Sequence, residues 1–503
     1  GVETVSITRT RSEYFDTKFQ QTQSKFSKYE TEAYYLNSLQ DAICGDVTAD
    51  NKSRILDAFD DFYAALSNLK GKPNDKTVRT QAVEVAQTFT KFVNDMATKM
   101  QQLQEEANVA IKTCVDQINA YAERITSINK QINTIEMYGA TANDLRDQRS
   151  QLIDELSKIC NVEVVEEEAP DGVGDPQYCV YINGGILVDT YRMNQLEVVQ
   201  KDTYSNINDI EGCYNIRWSN GADFPLHNNL MGGQLQGLIE MRDGNNSTAL
   251  EGVIGGLTNA PQDEGGNLKL TLTDANCNDV QLLNIPASNG EIIVSGRTYA
   301  YDSFEVKVGA DGKFTYEFTL STKVDAADAK VLQNAMAKGY TVSTAERVEA
   351  RGIPYYMAQL NEFVRTFAKE FNTIQNEGLD LHDEKGIDFF NAKVPATGEN
   401  YVMVEKDANG FDPSFSSTRP QVDAATGKYV GSYYYMTAAN FCVTDEMIGD
   451  PGKIAGKLPY DDGSETGNDQ GENIERLTKL KDKSDMFVHG APDDFIRSLT
   501  ASL

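Results

Sequence analysis

Along residues 75–138 the apolar side chains recur at steps of three or four: Phe89, Phe92, Met96, Met100, Leu103, Ala107, Ile111, Cys114, Ile118, Tyr121, Ile125, Ile128, Ile132 and Ile135. That spacing holds one face of an α-helix against a partner. No Pro interrupts the run, Asn74 or Asp75 can cap its start, and Gly139 is suited to stop it. At 1.5 Å per residue the predicted helix is a rod of roughly 90 Å. A stripe that long cannot be buried by the helix that carries it, so other helices must lie along it.

The same rhythm predicts those partners. The helix over residues 12–42 places Phe15, Phe19, Thr22, Phe26, Tyr29, Ala33, Leu36 and, just past it, Ile43 on one stripe, and residues 52–69 place Ile55, Phe59, Phe62, Leu66 and Leu69 on another. Residues 143–160 follow with Leu145, Leu152, Leu156 and Ile159. Residues 348–376 restore the seam with Ile353, Met357, Leu360, Val364, Phe367, Phe371 and Ile374, and Pro354 sits near the start, where its missing N–H does little harm. A last stripe, Phe495, Ile496, Leu499 and Leu503, begins where the chain stops.

Between the helical arms the period changes to that of strands. Residues 162–165, 178–182, 186–188 and 214–218 are rich in β-branched and aromatic residues, with Asn183-Gly184-Gly185 and Ser219-Asn220-Gly221 as turns. A short helix is expected over 235–241. Strands are expected again over 268–273, 292–294, 304–308 and 314–318, the last two flanking Ala310-Asp311-Gly312-Lys313, with one helix near 327–337. The expected division is a helical arm over 1–160, a small β section with a short helix over 161–245, an inserted mostly-β domain over 246–342, a returning helix over 343–378, an irregular acidic region over 379–492 holding a short helix near 474–480, and the start of a further rod helix over 493–503. The fold class is α+β: an elongated long-helix bundle built from both ends of the chain.

At 503 residues and 40% hydrophobic composition the chain is long enough for about three or four domains. A net charge of −30 opposes binding to nucleic acid or to an anionic membrane surface. No apolar run approaches the roughly 18 residues that insertion across a bilayer requires. Gly1 is not an initiator Met and the opening GVETVSITRT lacks an apolar export core, so either a signal has been removed or export uses another route. With the interrupted last stripe, this points to a chain trimmed at both ends.

The seven cysteines form no C-x-x-C pair and read as free thiols. His227, His382 and His489 lie in separate segments, outside any ligand spacing. The acidic run from Asp380 to Asp388 does not fit a calcium loop, and Asp461, Asp462 and Glu465 read as a solvated turn. No nucleophile elbow or phosphate loop is present in the sequence. No catalytic, metal or cofactor residue is therefore assigned, and the expectation is that the protein is not an enzyme.

Five stretches carry a resemblance. NDLRDQRSQLIDELSKICNVEV from Asn143 is similar to the N-D-L-x-D-Q-R segment of the bacterial flagellar hook-associated protein 1 family, the hook–filament junction proteins. GGQLQGLIEMRD from Gly232, FAKEFNTIQNEGLDLHDEKGIDFF from Phe367, MTAANFCVTDEMIGDPGKIA from Met436 and the opening GVETVSITRTRSEYFDTKFQQ resemble further family segments in family order. Residues 246–342 are not covered, and Gln375 stands where the family pattern has a His.

The resemblance implies a flagellin-like coiled-coil rod, with the family's terminal axial-core segments absent and this fragment monomeric and soluble. It implies a secreted structural subunit, exported by the flagellar type III route for motility and resident in the extracellular flagellum. Expected partners are the hook protein, the second hook–filament junction protein, further copies in a ring, and an export chaperone on the missing C-terminal segment; neither nucleic acid nor membrane is expected. Arg146 and Arg149, beside Asp144 and Asp147, are expected to meet carboxylates at a rod or subunit interface. Rival readings are a flagellin or the second junction protein, and a surface binding module for glycan or protein carried by the insert.

Overall fold

The computed structural model describes residues 13–45, 54–138, 140–167, 177–259, 267–403, 417–419, 421–459, 467–488 and 490–502. The expected Gly139 stop, the loop carboxylates Asp461, Asp462 and Glu465, His489 and Leu503 lie outside those residues. The chain is organised on α3 (Lys76–Glu136), one helix of 61 residues whose cap Asp75 accepts from the backbone N–H of Thr77 and Val78. The predicted stripe is its buried face from Phe89 through Ile132, with Phe92, Leu103 and Tyr121 half-buried and Ile135 exposed near the end.

Partners are laid along it in turn. Near the Asp75 end, α2 (Arg54–Gly71) and α7 (Ile353–Glu377) close an aromatic cluster over Phe89. Phe59 and Phe62 from α2 meet Phe367 and Phe371 from α7, and Phe390 and Phe441 complete the packing. Further along, α4 (Asn143–Ile159) and α5 (Gly233–Asp243) pack on α3, with α1 (Glu13–Cys44) resting on α4 and α5. Of the remaining helices, α8 (Asp445–Gly449) is one short turn, α9 (Glu472–Lys479) packs on α2 and α7, and α10 (Pro492–Ala501) packs on α7.

One stripe is inverted over its first part, although Leu36 and Ile43 at its end pack into the core as expected. Phe15, Phe19, Phe26 and Tyr29 of α1 are 53 to 71% exposed, whereas Gln20, Ser24 and Ser27 are buried. The reason lies in α5, which approaches α1 and α4 too closely for large side chains. A Cβ on Gly237 would fall 2.8 Å from the Lys28 carbonyl oxygen. One on Gly233, whose φ is +65°, would fall 2.4 Å from the Ile159 carbonyl. Small polar residues fit that contact, and the aromatic face is left outward.

The β portion begins as a four-stranded antiparallel sheet of β1 (Val162–Glu167), β2 (Gln177–Ile182), β3 (Gly185–Asp189) and β4 (Arg192–Met193). Asn183 and Gly184, at φ +48° and +79°, make the β2–β3 turn. A hairpin of β5 (Leu196–Gln200) and β6 (Tyr214–Trp218) follows. The next strands are β7 (Glu251–Asn259), β8 (Leu268–Thr273), β9 (Gly290–Val294), β10 (Arg297–Val308), β11 (Phe314–Leu320) and, after α6 (Ala326–Lys338), β12 (Thr341–Ser343). They close a barrel in the order β10-β11-β8-β7-β12-β9. The aromatic core of the barrel, Tyr301, Phe304, Tyr316 and Phe318, is completed from outside it by Tyr434, whose hydroxyl donates to the Ile285 carbonyl at 2.5 Å.

Arg365 of α7 joins barrel and rod. It is buried, and its guanidinium donates to the carbonyls of Leu283 at 2.6 Å, Tyr434 and Met436 at 2.7 Å, and Gln281 at 3.2 Å. Burial without a paired carboxylate pulls its pKa down to about 10. Arg365→Met would strand these carbonyls, so we expect a loss of about 3 kcal/mol or more in denaturant unfolding. Arg365→Lys should recover only part of it, because an ammonium cannot span the fork.

Candidate assembly surface

The four residues singled out in the sequence sit where α4 leaves the far end of α3. Arg146 forms a two-pronged pair with Glu136, Nε to Oε1 at 2.9 Å and Nη2 to Oε2 at 2.8 Å, and donates to Glu166 at 3.1 Å. Arg149 is buried; it donates to Asn129 Oδ1 at 3.0 Å and to Glu166 at 3.3 Å, and its guanidinium lies 3.5 Å over the Tyr178 ring. The hydrogen bonds from Arg146 hold the Glu136 carboxyl below the usual carboxylate range despite partial burial. Both arginines thus find their carboxylates within the chain, bracing α3, α4, β1 and β2, while Asp144 and Asp147 are exposed.

The other sequence candidates are scattered. His227 is 3.9 Å from Asp243, and His382 is 3.0 Å from Asp450. Among the described residues no group of three or more His, Cys, Asp or Glu is placed to hold a metal. All seven cysteines are free. Gln375 is buried, donating to the Lys453 carbonyl at 3.0 Å and accepting from the Ala455 N–H at 3.2 Å.

A cavity of about 400 Å³ between the β5–β6 hairpin, α5 and the barrel holds several charges, but they satisfy one another. Lys201 pairs with the buried Glu291 at 3.0 Å, which also accepts from Thr203 and Ser205. Arg242 forks onto Asp243 with two bonds of 2.7 Å. These contacts clamp the barrel and the hairpin to the rod.

Two features of α1 escaped the sequence reading. Its outward face carries Phe15, Phe19, Phe26 and Tyr29 on adjacent turns, a contiguous aromatic surface unusual for an isolated soluble chain. Its inward face carries Lys28 and Glu32, which meet Glu240 of α5: Lys28 Nζ lies 2.8 Å from Glu240 and 3.5 Å from Glu32. Burial, followed by a hydrogen bond to Glu240, pushes the Glu32 carboxyl up to about 7. Burial also acts to raise Glu240, but hydrogen bonds from Glu32, Lys28 and Gln236 hold it down. The lysine at i and the glutamate at i+4 were visible, but their partner lies on a helix more than 200 residues away.

A carboxyl raised in the folded state stabilises it while protonated. That contribution is full below the unfolded value of about 4.5 and is lost as pH rises through about 7. Amide hydrogen exchange in α1 should accelerate relative to α3 between pH 5 and pH 8 after correction for intrinsic exchange, and Glu32→Gln should flatten that difference.

Comparison with known proteins agrees on one family. The family model described as flagellar hook-associated protein FlgK helical domain matches residues 45–259 and 267–390. Flagellar hook-associated protein 1 of Salmonella typhimurium is 33% identical over 159 residues, covering 31% of this chain and 27% of that protein. The protein of the same name from Escherichia coli K12 is 35% identical over 144 residues, 28% of this chain and 25% of its own. That from Bacillus subtilis is 25% identical over 164 residues, 33% and 32%. The matched stretch thus spans between a quarter and a third of these relatives' length. The solved hook junction protein FlgK of Burkholderia pseudomallei aligns over 98% of this chain and 95% of its own, with a TM-score of 0.47 and 15% identity.

Proposed function

Because the chain belongs to the flagellar hook-associated protein FlgK helical-domain family, we propose that it is a structural subunit of the junction between flagellar hook and filament. In this reading it does no chemistry. The helices carry the mechanical load; the barrel, expected from the sequence to be a lineage-specific insert, is instead part of the family pattern, since the family match runs through its strands. The subunit is exported through the flagellar type III apparatus and forms a ring between the hook protein and the second junction protein.

What carries the reading is the aromatic face of α1. It is built on the rod's own helix, at the repeat that suits a helical partner, and it faces outward in the isolated chain. In the assembled junction it is covered by a helical segment with a complementary apolar stripe. The Asp144 and Asp147 carboxylates, exposed at the far end of α3, are a second contact in this reading. The pairing of Arg146 and Arg149 with Glu136 and Glu166 within the chain supports a bracing role for them.

The double substitution Phe19→Glu and Phe26→Glu tests this. Both residues are exposed, so unfolding of the purified chain should change by no more than about 0.5 kcal/mol per site. Introduced into the full-length protein in the cell, the pair should abolish motility and release filament subunits into the medium. Normal junctions from a stably produced double variant would remove the face from the assembly surface.

A further inference from the structure

The outward face of α1 is one half of a coiled-coil seam. Phe15, Phe19, Thr22, Phe26, Tyr29 and Ala33 follow one another at steps of four and three, and all six are exposed. That rhythm is the one on which two helices interlock, side chain into hollow. The seam is held out by the body of the chain, since Gln20, Ser24 and Ser27 on the opposite side of the helix are buried.

Charge is sorted along the two flanks of this seam. Lys18 and Lys25, one heptad apart, line one flank, and Gln23 and Glu30, again one heptad apart, line the other. Lys18, Lys25 and Glu30 are exposed and take part in no ion pair or side-chain hydrogen bond among the described residues. Flanking charges choose the partner and the direction of a coiled coil. Laid parallel to a second α1, the helix brings Lys25 opposite Glu30 of the second copy, twice by symmetry, and Lys18 opposite Gln23. Laid antiparallel, it sets lysine flank against lysine flank and acid flank against acid flank.

We propose that the free chain pairs with a second copy of itself through this face, α1 against α1 in parallel about a two-fold axis. The face carries both halves of the charge pattern that such a pair needs. Phe15, Phe19, Phe26 and Tyr29 of the two copies bury together on the order of 1,000 Å², near the lower bound of a specific interface, so the dimer is roughly micromolar. The rings supply the attraction and the flanks set the direction. This pairing departs from the monomer that the family resemblance implies. It concerns the free chain, and so stands or falls separately from the junction role.

The test is sedimentation equilibrium of the full chain from about 1 to about 200 μM, a range that brackets micromolar association. A monomer–dimer equilibrium is expected. Each copy carries a net charge of −30, so the dimer should tighten as NaCl rises from ~0.02 to ~0.5 M, where screening of that repulsion outweighs what two exposed ion pairs lose. Phe19→Glu with Phe26→Glu should leave only monomer. Lys25→Glu and Glu30→Lys should each weaken the dimer several-fold by setting like charges opposite one another, and the two together should restore it. All four positions are exposed, and unchanged thermal unfolding of the two charge variants confirms that the fold is intact. A monomer throughout, or a dimer indifferent to the phenylalanine pair, would overturn the proposal. So would a dimer that Lys25→Glu alone strengthens, the result that antiparallel pairing gives. A monomer would leave the face to a different helix, with the motility experiment on the junction unaffected.

Discussion

A single helix of 61 residues has far more apolar stripe than any one partner can cover, and the rest of the chain is laid out to meet that demand. The cover is applied in sections: aromatic at the Asp75 end, aliphatic through the middle, and a sheet with two arginines at the far end. Between sections the polar side chains of α3 pick up backbone that would otherwise be orphaned. Asn94 donates to the carbonyls of Ala438 and Phe441, Gln104 to that of Arg242, and Asn129 to that of Thr190. Asn119 both donates to and accepts from the backbone of Leu196, fixing the start of β5. The β portions are therefore pinned to known heights on the rod by amides, one height per segment.

Buried arginines do the same work where loops must be held to helices. Arg79 donates to the carbonyls of Pro73, Pro451, Gly452 and Ile454, and Arg365 binds barrel and C-terminal segments together. A guanidinium offers five donors on a rigid plane and so can serve several carbonyls of irregular backbone at once. This explains how the acidic region after residue 378, poor in regular structure, still packs against the rod. It also ties the barrel in: Tyr434 sits inside its core and Arg365 at its base, so the barrel is fastened to α7 and the C-terminal segment.

Much of this was legible from the sequence, for a simple reason. Periodicity reports which residues are apolar and how they are phased, and α3, α2 and α7 bury the stripes so marked. It does not report which face a partner will choose. On α1 the choice was made by glycines on α5, more than 200 residues later, which let backbone approach backbone and select the serine face. Strands β7 and β12 were missed because one is broken by glycines and the other is three residues long, so neither carries an alternation that stands above background. The D-Q-R segment was legible as charge, yet its arginines turn inward to Glu136 and Glu166, partners that only the fold brings near.

The two faces of α1 now have distinct physical characters. The inner face holds by close backbone approach, by Lys28 paired with Glu32 and Glu240, and toward its C-terminal half by Tyr35, Leu39 and Ile43 buried in the rod core. The outer face, over the first half of the helix, is a row of large aromatic rings left exposed in the isolated chain. A helix packed on one side and apolar on the other gains further stabilisation when a partner covers the second side. The proposed junction role calls for such a face, which stands open on the single chain and gains its contacts only when a neighbour closes over it.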